Sequence, residues 1–102
     1  MKPPVECASL SEVRDEIDGI DQQIISLITQ GAVYVRAAAR FKTDEEAVAA
    51  PKRYAAMLRA RREWAERDGL DADLIERIYR ELVDYFIARE TQDWRRLWKP
   101  NA

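Results

Sequence analysis

Val13 to Lys42, VRDEIDGIDQQIISLITQGAVYVRAAARFK, places Val13, Ile17, Ile20, Ile24, Leu27, Ile28, Tyr34, Val35, Ala38 and Phe41 mostly at three- and four-residue steps. That period is the signature of one amphipathic helix face. No proline interrupts it, and Gly31 weakens a helix by about 1 kcal/mol relative to alanine without ending it. Just upstream, Ser9-Leu10-Ser11-Glu12 fits a capping box, with Ser9 accepting from a backbone N–H and Glu12 reaching back to the cap. One uninterrupted helix is therefore expected from the Ser9 cap through Lys42. Arg14 and Lys42 lie on its inward stripe, 28 residues or four heptads apart. At ~1.5 Å rise per residue they stand roughly 42 Å apart along one helix, too far to grip the same small molecule. An antiparallel copy of the helix brings Arg14 of one chain towards Lys42 of the other and gives two equivalent sites by two-fold symmetry. Two cations at one pocket favour an anion. A pair of solvated surface charges is the alternative reading.

Downstream, Thr43-Asp44-Glu45-Glu46 breaks the apolar pattern, and residues 43 to 50 read as a mobile loop ending at Pro51, which suits the first turn of a second helix. Tyr54, Met57, Leu58 and Trp64 give that helix its apolar face, and Gly69 stops it. Asp71 is the expected N-cap of a third helix, where Leu74, Ile75, Ile78, Tyr79, Leu82, Val83, Phe86 and Ile87 form a wide stripe continuing towards Trp94 and Leu97. The predicted fold is all-α, three helices in the order long, short, long.

The 102 residues suit one domain spanning 1–102, and so small a domain gains stability by burying more apolar surface in an oligomer. The hydrophobic fraction of 47% and charged fraction of 35%, with only three glycines and four prolines, fit a helical rather than a disordered chain. A net charge of −2 offers no electrostatic case for nucleic acid. Cys7 is the single cysteine and histidine is absent, so neither an internal disulfide nor a Cys/His metal site or catalytic pair can form. The acidic clusters Asp15-Glu16-Asp18-Asp21 and Asp44-Glu45-Glu46 lack metal-ligand spacing, and no metal is expected. No secretory signal and no 18-residue apolar run occur, which points to a cytoplasmic protein away from membranes.

Val83, Ile87, Glu90 and Trp94 follow at steps of four, three and four, placing a carboxylate on an apolar stripe. Glu90 is then either a hydrogen-bonding group in a pocket, needing a partner or a proton, or a solvated residue beside Arg89. Arg53, one turn before Met57, projects either into the same cavity or to the surface. Val35 and Ile87 are the candidate apolar substrate contacts on the first and third helices. Lys52, Arg59, Arg61, Arg62 and Arg67, interleaved with Glu63, Glu66 and Asp68, read as a solvated face. The run Trp94-Arg95-Arg96-Leu97-Trp98-Lys99 mixes basic and aromatic residues, but its first tryptophan continues the core stripe and is more simply read as packing.

With these helices and with Arg14, Lys42, Arg53 and Glu90 on candidate inner faces, the chain resembles the all-helical (type II) chorismate mutase family, and within it the isochorismate pyruvate lyase branch. The resemblance is carried by Leu10 to Asp21 (LSEVRDEIDGID), Tyr34 to Lys42 (YVRAAARFK), Ala50 to Leu58 (APKRYAAML), Arg62 to Asp71 (REWAERDGLD) and Tyr85 to Glu90 (YFIARE). It implies an intertwined homodimer whose two sites are each completed by Arg14 of the other subunit, and a 43 to 50 loop that closes over substrate with Lys42 at its edge. Family substrates are cyclohexadiene dicarboxylates bearing an enolpyruvyl ether, and their pericyclic reactions need no cofactor, metal or covalent nucleophile. By resemblance Lys42 serves the ether oxygen, Arg14 holds a carboxylate and Arg53 supports binding. A compact substrate conformation and fixed positive charge at the breaking C–O bond are what such a site supplies.

Two positions depart from the lyase pattern. Gly31 stands where relatives carry a carboxylate-binding arginine, and Glu90 stands where bacterial relatives carry glutamine. A glycine cannot replace the charge, and glutamate donates to an ether oxygen only when protonated. The resemblance leaves three readings: a lyase forming salicylate and pyruvate with weak mutase activity, a chorismate mutase or a mutase-like enzyme for a related enolpyruvyl substrate, and a non-catalytic helical dimer.

Overall fold

The computed structural model describes residues 1–98, the side chain of Trp98 excepted, so that side chain and Lys99 of the C-terminal run lie outside the described residues. The described residues are all-α. Helix α1 spans Leu10–Ala38, α2 Glu45–Ala49, α3 Pro51–Asp68 and α4 Ala72–Trp98, with 3-10 turns at Pro4–Glu6 and Ala39–Phe41. Among the described residues no helix is long and apolar enough to cross a membrane. The chain forms two compact units, Met1–Tyr34 and Val35–Ala102.

In the first unit the expected capping box is present with one change of partner. The Glu12 backbone N–H donates to Ser9 Oγ at 3.1 Å, while the Glu12 carboxylate accepts from the Ala8 N–H, one residue before the cap. That N–H, and secondarily Lys2 at 3.1 Å, lower the Glu12 pKa. The α1 stripe is regular but uncovered: Ile17 is 50% and Leu27 63% exposed, and no α1 residue is buried.

In the second unit α1 does not run on through Lys42. Its α geometry ends at Ala38, and Ala39–Phe41 tighten into a 3-10 turn that Lys42 leaves in extended conformation, φ −104° and ψ 136°. The loop expected over 43 to 50 is also corrected. Asp44 Oδ1 accepts from the Ala47 N–H at 2.7 Å and caps the short helix α2. Val48 of α2 is buried to 1% exposure, and the Arg95 guanidinium pairs with Glu45. Ala50, at φ 43°, turns the chain in the left-handed region so that α3 starts at Pro51.

Gly69, at φ 81°, ends α3 as expected, and its N–H bonds back into the last turn. Asp71 Oδ1 accepts from the backbone N–H groups of Asp73 and Leu74 at 2.8 and 3.3 Å, starting α4. Tyr54 Oη donates to Asp84 at 2.8 Å and Arg62 meets Asp73 at 2.8 Å, so α4 returns antiparallel along α3. Ala39, Val48, Met57, Leu58 and Ala65 are the buried apolar residues. The expected solvated face of α3 is only partly so. Arg62 is drawn onto Asp73 and Glu76, and half-buried Arg61 lies over the rings of Trp64 and Tyr79 at 4.6 and 5.5 Å.

Candidate active site

Glu90 is 3% exposed, the buried charged residue among the described residues of the second unit, and its partner is Lys42. The Lys42 Nζ to Glu90 Oε2 distance is 2.7 Å, and the lysine side chain is 24% exposed. That burial excludes the solvated reading of Glu90. The contact is a charge contact without hydrogen-bond alignment at Oε2, which leaves that buried atom short of a directed donor. A buried carboxylate lacking such a donor is costly. An ammonium has three N–H groups, so Lys42 keeps donors beyond its contact with Glu90 and remains partly open to solvent on that side.

Local structure explains why these two groups meet. The 3-10 turn carries Lys42 off the helix axis, and the Lys42 N–H bonds Ala39 O at 3.3 Å. Its carbonyl accepts from Trp94 Nε1–H at 2.9 Å. Glu90 and Trp94 are four residues apart on α4 and therefore share a face. Asp93 reaches Arg36 at 3.5 Å, and Arg95 reaches Glu45. The end of α4 thus holds the end of α1, the 3-10 turn and α2.

Val35 and Ile87 are half-buried on α1 and α4. Arg53 is exposed on the first turn of α3 and makes no ion pair among the described residues. Arg14 is exposed in the first unit, likewise without an ion pair among the described residues. Within the second unit the structure therefore brings Lys42 and Glu90 together, and among the described residues no ion pair joins Arg53 to them. Trp94 as a hydrogen-bond donor, and the Arg36–Asp93 pair, were not found by sequence reasoning. A side chain bonding a main-chain carbonyl leaves no mark in residue spacing. Opposite charges at 36 and 93 could be matched only after α4 was known to pass the end of α1. Among the described residues no cluster of His, Cys, Asp and Glu is arranged as metal ligands.

The Lys42 ammonium is seated on a buried carboxylate in an all-helical scaffold. Residues 13–91 match the family Chorismate mutase type II, and the chain belongs to it. Within reach of that family, the chain is similar to the isochorismate pyruvate lyase of Pseudomonas aeruginosa, 42% identical over 95 residues that cover 93% of this chain and 94% of the relative. It is also similar to the T-protein of Haemophilus influenzae, 36% identical over 85 residues, 82% of this chain but 22% of that much longer protein.

Proposed function

We propose that this chain is an isochorismate pyruvate lyase, eliminating pyruvate from isochorismate to leave salicylate. The observation that carries the reading is the similarity to a lyase along nearly the full length of both chains. The geometry is of the kind the reaction needs. When the ether C–O bond breaks, negative charge develops on the departing enolpyruvyl oxygen, and the ammonium of Lys42, held in place by Glu90, is the donor for it. Glu90, when protonated, supplies a second donor at the same oxygen. Val35 and Ile87 form the apolar contact with the ring, Arg53 binds from α3, and Arg14 of a second copy holds a carboxylate. The enzyme acts without a cofactor on a small dicarboxylate, as a homodimer, and in the cytoplasm.

The exposed apolar stripe of α1 supports the dimer, since an uncovered row of Ile and Leu on one helix is the kind of surface that a second copy buries. A second reading, chorismate mutase, is favoured by the family to which the chain belongs, and the same ammonium would serve the ether oxygen of chorismate. Incubating the purified protein separately with isochorismate and chorismate decides between them. Salicylate and pyruvate from isochorismate, faster than prephenate from chorismate, is the expected result. Prephenate as the main product makes the protein a mutase, and no product from either substrate removes both readings in favour of a non-catalytic dimer.

A further inference from the structure

Lys42 is gripped at both ends by one turn of α4. Glu90 takes its ammonium at 2.7 Å, and Trp94, the next residue on that face, donates its indole N–H to the lysine's main-chain carbonyl at 2.9 Å. A lysine stem is four flexible carbons long, so a contact at the ammonium alone leaves the backbone end free to shift. The neighbouring restraints on that end are weak: the Lys42 N–H bond to Ala39 is long at 3.3 Å, and Thr43 is exposed. Half-burial of Trp94 shields its bond from water, where such a bond counts for more.

We propose that Trp94 is a positioning residue for Lys42, its indole N–H fixing the lysine's backbone so that Glu90 and the indole together set where the ammonium stands. The inference rests on the role of Lys42 in the proposed reaction. The indole N–H is committed to the Lys42 carbonyl. Its contribution is to hold a donor within the short range over which a shift of about 1 Å can lower turnover a hundredfold.

The test uses full-length Trp94→Phe, Lys42→Ala and the double variant, with Trp64→Phe on α3 as a control for the same chemical change at an exposed site. Kinetics are measured on whichever of isochorismate and chorismate the wild type converts. Trp94→Phe is expected to lower kcat at least about tenfold with KM within about twofold. Trp64→Phe is expected to match the wild type. In the Lys42→Ala background Trp94→Phe should cause no further loss, because its effect passes through the ammonium. Native-state trypsin cleavage at the Lys42–Thr43 bond, followed by mass spectrometry, should speed up in Trp94→Phe and not in Trp64→Phe.

An unchanged kcat, an unchanged cleavage rate at Lys42–Thr43, or an equal loss in the Lys42→Ala background each overturns the positioning role. If Trp94→Phe does not fold, benzothienylalanine at position 94 keeps the bicyclic ring and removes only the donor. A folded protein of that kind with wild-type kcat overturns the proposal, and a tenfold loss upholds it. A wild type that converts neither substrate fails the enzyme reading and takes this inference with it. An active wild type with an unaffected variant removes the inference alone.

Discussion

Lys42 and Glu90 hold each other in place, so substitutions at either residue have two separable effects. Lys42→Ala is expected to lower turnover on the order of a hundredfold by removing a donor to the departing oxygen. It also strands a carboxylate that is 3% exposed, and breaking such a pair from one side destabilises by roughly 3 kcal/mol. The double variant Lys42→Ala/Glu90→Gln should recover much of the lost melting temperature and none of the lost turnover; recovery of both would place Lys42 outside the chemistry. Gly31 is the third informative residue. A Cβ built there meets nothing within 4 Å, so Gly31→Arg is sterically allowed within this chain. If the pocket binds the family's dicarboxylates, the added guanidinium should raise kcat/KM chiefly through KM. A folded Gly31→Arg protein with lowered kcat/KM would mean that the missing side chain is space the substrate uses.

The α3–α4 hairpin is tied near its turn by the Arg62 guanidinium to Asp73 at 2.8 Å and Glu76 at 3.4 Å, and Glu76 also holds Arg80 at 3.0 Å. The hydrogen bond from Arg62, more than its charge alone, lowers the Asp73 pKa. A depressed carboxyl pKa adds stability that is fully present above the unfolded value, about 3.9, and is lost as pH falls through the folded one. Asp73→Asn should accordingly melt below the wild type at pH 7, with the gap closing below about pH 4; a gap independent of pH would show that the charge of Asp73 is not what the hairpin uses. The hairpin was legible in the sequence because its ends are written locally, in Pro51, Gly69 and Asp71. Helix α2 was not. Five residues are too few to form a helix on propensity, and this one depends on Val48 burial and on Arg95 reaching Glu45 across the chain. The end of α1 was misplaced for a related reason. Ala37-Ala38-Ala39 contains nothing that stops a helix, and the 3-10 turn is accompanied by ties to α4 that lie about 50 residues away in sequence. Spacing alone exposed Lys42 and Glu90 as candidates, since both fall on apolar stripes. Their pairing and the indole bond are tertiary facts.

An all-helical chain of 102 residues with the Val13, Ile17, Ile20, Ile24, Leu27 and Ile28 side chains of its longest helix open to water has more apolar surface than a small isolated domain tolerates well. A second copy burying that stripe is the economical solution, and two-fold symmetry then gives two identical sites. In the proposed dimer each site would take Lys42 and Glu90 from one chain and Arg14 from the other. Mixing two inactive variants tests this directly. A heterodimer of Arg14→Ala and Lys42→Ala has one site lacking both cations and one site with both intact, because the intact Arg14 and the intact Lys42 come from different chains. Under free subunit exchange half of the dimers are heterodimers, so about a quarter of the wild-type site concentration should return, and activity should rise with the rate of exchange. Exchange followed independently by native mass spectrometry makes the result decisive in both directions. Heterodimers formed in the expected proportion without any return of turnover would mean that Arg14 and Lys42 do not meet across subunits.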